Sequence, residues 1–283
     1  MKFKFIFFLV NMISFFILAV LLFLPSFIPN IPNTSMPGSS SPGILLQITL
    51  SLMVALFLLL SAFNAFYFIN WRLFFLLEKE DWPALVRYLE DEVIKKSKYR
   101  PYLVRLLINS YLVLSDSGAV MSLENKAALI KPALLDANAL LFGAARILSK
   151  DISGAARFFA LRKKTAKGAR RDWVCWYYGF ALVLGREYEE AGKEFSPLAR
   201  VSKNSVIAGL SSYFLAETLA QELREKKAEY QKTAAVGRER VLKALPLLDD
   251  WNRELSRLSA EIHAAAISKY MAKAGKWLYT ENT

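Results

Sequence analysis

The side chains that most often carry out chemistry are scarce in this sequence. It contains one histidine, His263, and one cysteine, Cys175. Structural zinc is usually held by a tetrahedral set of nitrogen and sulfur ligands, and one residue of each kind cannot supply that set without heavy help from carboxylates. A lone cysteine also excludes an internal disulfide. We therefore expect no metal site, no cofactor and no disulfide framework.

The motifs of common enzyme classes are missing as well. Gly185 and the Gly192-Lys193 pair superficially suggest a phosphate-binding loop, but the glycines are too far apart and Glu194 stands where Ser or Thr is required. No Gly-x-Ser-x-Gly, His-Glu-x-x-His or Gly-x-Gly-x-x-Gly pattern occurs. The sequence predicts no catalytic residue, and we expect a protein that is not an enzyme.

A run of basic residues is the clearest candidate for a charged binding surface. It contains no acid and comprises Arg162, Lys163, Lys164, Lys167, Arg170 and Arg171. Three interpretations remain open: a solvated turn without a partner, a contact with anionic lipid headgroups or an acidic partner, and a contact with nucleic acid. Nucleic acid ranks last, because the aromatic residues that follow the run fall within a helical pattern in which most would be core.

Charged residues are distributed unevenly along the sequence. Residues 1–77 contain three formal charges, Lys2, Lys4 and Arg72, whereas residues 78–283 hold the other basic groups and all 25 acidic ones. The net charge of the whole chain is +12. This distribution predicts an apolar membrane segment over 1–77 and a basic, soluble domain over 78–283.

The apolar segment contains two stretches of membrane-spanning length. Residues 5–24 and 44–69 carry no charge, and about 20 apolar residues suffice for a helix to cross a bilayer. Residues 25–43 between them are rich in proline and serine and predict an irregular linker. A cleaved signal peptide is the rival interpretation of the first stretch, but its apolar run exceeds the usual length and no clear cleavage site follows.

The basic residues beside the two spans predict their orientation. Lys2 and Lys4 precede the first span, and Arg72, Lys79 and Arg87 follow the second, whereas the linker has no charge. Because basic flanks remain on the cytoplasmic side, both termini and the soluble domain are expected to be cytoplasmic. The protein is thus predicted to be integral to a membrane, the bacterial cytoplasmic membrane being the expected one.

Residues 78–283 show helical patterning and an internal repeat. Residues 140–159 and 176–195 align without gaps, matching Gly143 with Gly179, Ala155 with Ala191 and Phe159 with Phe195. Each unit has a small residue along one helix, a polar turn, and then Ala-x3-Phe on the next helix. Residues 80–89 and 100–114 suggest parts of earlier, degenerate units. The alternative is an unrelated helical bundle in which alanine and phenylalanine recur by chance.

These units resemble the tetratricopeptide repeat, a helix–turn–helix module of about 34 residues. The resemblance implies an all-α solenoid in which the first helix of each unit lines a groove for peptide or helix ligands. The groove candidates are Trp173, Trp176, Phe180, Leu140, Ala144 and Ile147. Core packing is the competing explanation for each of these residues. The residues from Asp249 to Leu278 predict one long amphipathic helix that caps the array.

Together these features predict a membrane-anchored scaffold or adaptor whose helical repeats bind protein partners. The alternative function is an accessory or regulatory subunit of a membrane transport or envelope-biogenesis system.

Overall fold

The structure, a computed structural model, describes residues 3–27, 42–259 and 261–280. It is 86% helical, and the described residues contain no strand. The prediction of an all-α chain with two apolar N-terminal helices followed by a helical domain is therefore confirmed.

The chain divides into two compact units between Tyr88 and Leu89. The boundary proposed from charge, after residue 77, remains a prediction. The helices of the first unit and the one that crosses the division are α1 (Phe3–Phe27), α2 (Pro42–Ile69), α3 (Trp71–Lys79) and α4 (Trp82–Glu90), which continues as a π-helical turn over Asp91–Lys95. Most of the predicted linker, residues 28–41, lies outside the described residues.

The first two helices pack against each other through polar and aromatic side chains. The Asn64 side-chain amide donates a hydrogen bond of 2.9 Å to the Asn11 side-chain oxygen. One turn away, the rings of Phe7 and Tyr67 stack with their centroids 3.9 Å apart. Other apolar side chains of this pair face outward; the side chain of Phe15, for example, is 73% exposed.

The second unit is a succession of helices, most of which pack against the helix before and the helix after them in the chain. They are α5 (Pro101–Val113), α6 (Ser117–Ile130), α7 (Ala133–Ala137), α8 (Ala139–Leu148), α9 (Ile152–Lys163), α10 (Ala169–Leu184), α11 (Tyr188–Val201), α12 (Ser205–Phe214), α13 (Ala220–Glu222), α14 (Lys227–Ala244), α15 (Leu248–Ser259), α16 (Ile262–Ala265) and α17 (Ser268–Tyr279). The pairs α5–α6, α8–α9 and α10–α11 form helical hairpins with short turns.

One turn geometry recurs in the hairpins. A residue with positive φ ends the first helix, and an acidic residue follows it. The positive-φ residues are Glu80, Ser115, Lys150 and Arg186, at intervals of 35, 35 and 36 residues. The acidic residues are Asp81, Asp116, Asp151 and Glu187, and each backbone N–H donates to the carbonyl five residues earlier. The three aspartates also cap the second helix by accepting from a backbone N–H three residues later.

The glycine and phenylalanine pairs of the sequence repeat meet in space. The Phe159 ring lies over Gly143, where an added Cβ would overlap it. In the next hairpin the Phe195 ring takes the same place over Gly179, at 2.8 Å from an added Cβ. The absence of a side chain on the first helix therefore lets the second helix approach closely in both hairpins.

The predicted single helix from Asp249 to Leu278 is wrong. The chain instead forms α15, α16 and α17, and α15 packs against α17. The Trp251 indole is fully buried and contacts the backbone at Gly275 and at Gly209 of α12. A continuous helix would hold Trp251 apart from Gly275, so burial of this side chain favours the turn over helix continuity.

Candidate functional site

The aromatic residues predicted to line a groove lie in the interior of the second unit. Trp176 is fully buried, and Phe180 and Trp173 are 2% and 7% exposed. The Trp176 ring stacks on Phe180 at 5.3 Å between centroids and contacts Phe195 of α11 at 6.1 Å. We define the aromatic cluster as Trp173, Trp176, Tyr177, Phe180, Phe195 and Phe214.

The residues predicted from the preceding hairpin have mixed positions. Ala144 is fully buried, whereas Leu140 and Ile147 are half-buried. Leu140 and Trp173 line the same cavity. The structure thus brings one residue from each of two successive first helices together at a cavity wall, while Trp176 and Phe180 lie deeper.

The chain's own C-terminal residues cover this interior. We call residues 261–280 the C-terminal segment. Its short helix α16 contacts α5 and α8, and α17 contacts α12. The Tyr270 ring lies 5.1 Å from that of Phe180, and the His263 ring lies 5.6 Å from that of Trp173. Helices α5, α8, α10 and α12 therefore already contact a helical segment of the same chain.

Hydrogen bonds fix the segment at His263. The Tyr177 hydroxyl lies 3.0 Å from His263 Nδ1 and donates to the His263 carbonyl oxygen at 2.9 Å. His263 Nε2 lies 2.8 Å from a Glu261 carboxylate oxygen. Because a carboxylate only accepts, Nε2 carries a proton in this arrangement. The sole histidine therefore links the C-terminal segment to α10 through its contacts with Tyr177.

Burial governs the ionisation of these groups. It lowers the pKa of His263 below its ordinary value of 6.5, an effect that neighbouring Glu261 opposes. Burial raises the pKa of Tyr177 well above its ordinary value and also raises the pKa of the Cys175 thiol. The imidazole is thus mainly neutral and the thiol mainly protonated near neutral pH.

A polar cavity of about 300 Å³ lies where the C-terminal segment meets the first helices. Arg105 of α5, Arg170 of α10, Glu261 and His263 contribute its charged and titratable side chains, and Trp173 forms part of its wall. Arg105 and Arg170 are exposed. The cavity marks the part of the inner surface that the segment leaves accessible.

The basic run divides into paired and free cations. Arg162 forms an ion pair with Asp136 at 3.0 Å, and Lys163 forms one with Glu194 at 2.5 Å. Arg170 donates a long hydrogen bond of 3.4 Å to the Asp136 backbone carbonyl. The surface cations of the run with neither an ion pair nor a side-chain hydrogen bond among the described residues are Lys164, Lys167 and Arg171. Part of the predicted patch therefore stabilises the fold, and the remainder is available to a partner.

No group of three or more His, Cys, Asp or Glu side chains suited to a metal ion occurs within the described ranges. Nothing in the sequence connects His263 with Tyr177, which lies 86 positions earlier. Arg105 and Tyr270 were likewise not singled out. No local motif signals these pairings, because the fold brings together segments that are distant in sequence.

Comparison with known proteins places the second unit in a family. The family model described as "Uncharacterised Treponema protein" matches residues 119–280. The chain belongs to this family. The match includes the C-terminal segment, and helices α1 and α2 lie outside it.

A Treponema pallidum (strain Nichols) protein described as "Uncharacterized protein" is 32% identical over 182 residues. The aligned part covers 64% of this chain and 57% of that relative, so the similarity spans little more than half of the relative's length. No solved structure matches the chain.

Proposed function

We propose that this protein is a membrane-anchored adaptor in which two N-terminal spans hold a tetratricopeptide-like helical domain at the cytoplasmic face of a bacterial inner membrane. The domain binds a protein partner and carries no catalytic site. The observation that carries the proposal is the inner surface formed by the first helices, because it already accommodates two helices of the C-terminal segment.

The spans are supported by their length and exposure. Residues Phe3–Phe23 and Gln47–Ile69 have mean hydropathies of 2.8 and 2.3, and the most apolar 18-residue window of each is not buried within the protein. A core helix of a soluble protein would be covered by its own chain, whereas these two present their side chains outward. The hydrogen bond between Asn11 and Asn64 satisfies polar groups that would otherwise face lipid.

The tetratricopeptide-like assignment is supported by the recurring turn and the recurring ring contact. The intervals between the positive-φ residues are close to the roughly 34 residues of that repeat. The phenylalanine over glycine at 143/159 and 179/195 repeats one packing contact at the same place in two hairpins. Stacked hairpins of this kind bind partners by area and shape.

The C-terminal segment indicates the chemistry of the partner. It meets the inner surface with Tyr270, His263 and the buried Ile267. A partner helix with a similar apolar stripe would fit the same surface and would displace the segment or bind beside it at the cavity. Binding is thus expected to be helix-in-groove, with Arg105 and Arg170 favouring an acidic flank.

Photocrosslinking in intact membranes tests the proposal. A photoreactive amino acid at Arg105 or Ala169, both exposed at the cavity, is expected to give a discrete adduct with one partner. The same label at Arg157, which is exposed on α9 away from the cavity residues, is the matched control and should give no such adduct. Alanine variants of Trp176 are unsuitable, because truncating a buried tryptophan costs about 3–5 kcal/mol of folding free energy.

Two outcomes would contradict the proposal. One is an identical adduct at Arg157, which would indicate non-specific proximity. The other is release of the chain from membranes by alkaline carbonate, which would contradict anchoring by α1 and α2.

A further inference from the structure

The most exposed large hydrophobic side chains of residues 89–280 lie where one helical hairpin connects to the next. Within the described part of this unit they are Leu129 (88%), Val201 (71%), Leu247 (63%), Leu161 (58%) and Ile130 (56%). Each lies in the last turn of α6, α9 or α11, or in the loop after α14, the helix that packs against α12 as the second helix of a fourth hairpin. Apolar side chains concentrated in this way mark an interaction surface.

These connections form one continuous edge, which we call the inter-hairpin edge and define as residues 129–138, 161–172, 199–204 and 240–248. Asp136 accepts from Arg162 at 3.0 Å, which joins the first two stretches. The Ser202 hydroxyl donates to Asp172 at 2.7 Å and joins the second to the third. Arg240 donates to the Ser202 carbonyl at 3.0 Å and joins the third to the fourth.

The inter-hairpin edge is also basic. Its exposed cations with neither an ion pair nor a side-chain hydrogen bond among the described residues are Lys131, Lys164, Lys167, Arg171, Lys203 and Lys243. Asp136 is held in its ion pair with Arg162, and Asp172 accepts from Ser202. Free positive charge and exposed apolar side chains therefore alternate along the edge.

The opposite ends of the hairpins differ in charge. We call the turns at residues 114–117, 148–151, 185–190 and 222–226 the turn edge. Acids accompany its bases; the exposed ones are Asp116, Glu187, Glu189, Glu190, Glu222 and Glu225. It also exposes the apolar side chains of Leu114 (41%) and Leu148 (53%). The turn edge therefore offers apolar side chains without an excess of positive charge and serves as an internal comparison.

We propose that the inter-hairpin edge contacts the surface of the anionic membrane into which α1 and α2 insert, with its leucine and valine side chains among the lipid headgroups. This inference rests on the proposed membrane anchoring. It extends the predicted patch at Arg162–Arg171 to a whole edge of the domain and assigns its partner as an anionic bilayer.

Both components of the edge suit this partner. Anionic headgroups attract Lys and Arg near the surface, and each such base strengthens attachment by about fivefold. Apolar side chains between the bases partition into the boundary of headgroups and acyl chains. An acidic protein would match the charge, but it would need its own apolar pockets for isolated side chains spread over four connections.

Site-specific quenching in proteoliposomes tests the inference on the full-length chain. In a Cys175→Ser background, single cysteines replacing Leu161 or Val201 carry an environment-sensitive fluorophore. Matched labels replace Leu114 or Leu148 on the turn edge. The vesicles contain phosphatidylcholine with or without phosphatidylglycerol, together with a lipid that quenches the fluorophore at headgroup depth.

We expect quenching at positions 161 and 201 in the anionic vesicles and little at 114 and 148. Adding the triple change Lys164→Gln, Lys167→Gln and Arg171→Gln should lower the equilibrium constant for membrane contact by about 100-fold, since each of the three bases contributes about fivefold. Raised salt should have the same effect.

Equal quenching at both edges, or none at the inter-hairpin edge in protein that floats with the vesicles, would overturn this inference alone. Protein that does not float with the vesicles would instead contradict membrane anchoring, and this inference with it. Circular dichroism of each labelled variant establishes that loss of quenching does not come from unfolding.

Discussion

At the scale of single residues, the imidazole of His263 lies between a carboxylate and a phenol that belong to different parts of the chain. Its ring is buried, and the charged or titratable groups facing it are Glu261, Arg105, Arg170 and Tyr177. From the sequence, no catalytic role was expected for this histidine. The sequence did not reveal the pairing with Tyr177, because that contact depends on how the C-terminal segment folds back over α10.

Acidification is expected to loosen the C-terminal segment. The pKa of His263 is lowered by burial from 6.5, so a released histidine binds a proton before the docked one does. Stability of the docked state is therefore complete above pH 6.5 and declines as the pH falls towards the lowered value. Amide hydrogen exchange of residues 261–280 between about pH 8 and 5 measures this effect. The His263→Gln variant should lack the pH dependence; if it keeps it, another group is responsible.

Gly143 and Gly179 are expected to be required for stability, because a phenylalanine ring packs directly over each of them. A methyl group at Gly143 would overlap the Phe159 ring, so Gly143→Ala should destabilise the fold by about 1–3 kcal/mol. Gly118 is the control, because the nearest atom to its added Cβ is 3.6 Å away. Gly118→Ala on a helix should stabilise by about 0.5–1 kcal/mol. Urea unfolding measures both changes, and equal effects would contradict the packing argument.

At the scale of helices, the local sequence predicted most helices correctly but failed where long-range packing determines where a helix ends. The apolar stretches at 5–24 and 44–69 correspond to α1 and α2, which are slightly longer. Residues 100–114 predicted a first helix and correspond to α5. The C-terminal residues kept a helical apolar pattern across the breaks before α16 and α17, so periodicity alone predicted one helix. The breaks arise because Trp251 is buried against two glycines that lie far from it in sequence.

The aspartate cap at Asp116 is expected to stabilise helix α6. Asp116 Oδ1 accepts from the Ala119 N–H at 2.9 Å, so Asp116→Ala should cost about 1 kcal/mol and Asp116→Asn much less. Asp249→Ala provides a control, since Asp249 is exposed near the start of α15. It should change the free energy of unfolding by less than about 0.5 kcal/mol. A loss at Asp116 no larger than at Asp249 would show that the cap contributes little.

At the scale of the whole molecule, the repeat pattern predicted the hairpins but not the packing of the C-terminal segment against them. Matching Gly143 to Gly179 and Phe159 to Phe195 identified contacts that occur in both hairpins. The predicted groove residues Trp173, Trp176 and Phe180 do share one helix face, as their spacing indicated. Their coverage by residues 261–280 was not predictable, because it depends on a long-range fold-back that leaves no periodic trace.

Removal of the C-terminal segment is expected to unfold or loosen the second unit. The segment buries Ile267, Met271 and Leu278, and each buried side chain of this kind contributes about 1.5–3 kcal/mol. A chain ending at residue 260 should therefore lose cooperative thermal unfolding and bind a hydrophobic dye. Adding a peptide of residues 261–283 in trans should restore the transition. A truncated chain with unchanged unfolding would show that the segment is not part of the core.

Because the same turn recurs at regular intervals, the domain can lengthen or shorten by whole repeat units. Ser115 and Lys150 hold the same backbone geometry, and Asp116 and Asp151 follow them in the same role. Excising residues 116–150 would join Ser115 directly to Asp151 and leave an identical junction, and duplicating that stretch would do so as well. Length variation among homologous domains should therefore come in whole modules of 35 or 36 residues, with the two apolar N-terminal helices and the contact between His263 and Tyr177 left in place.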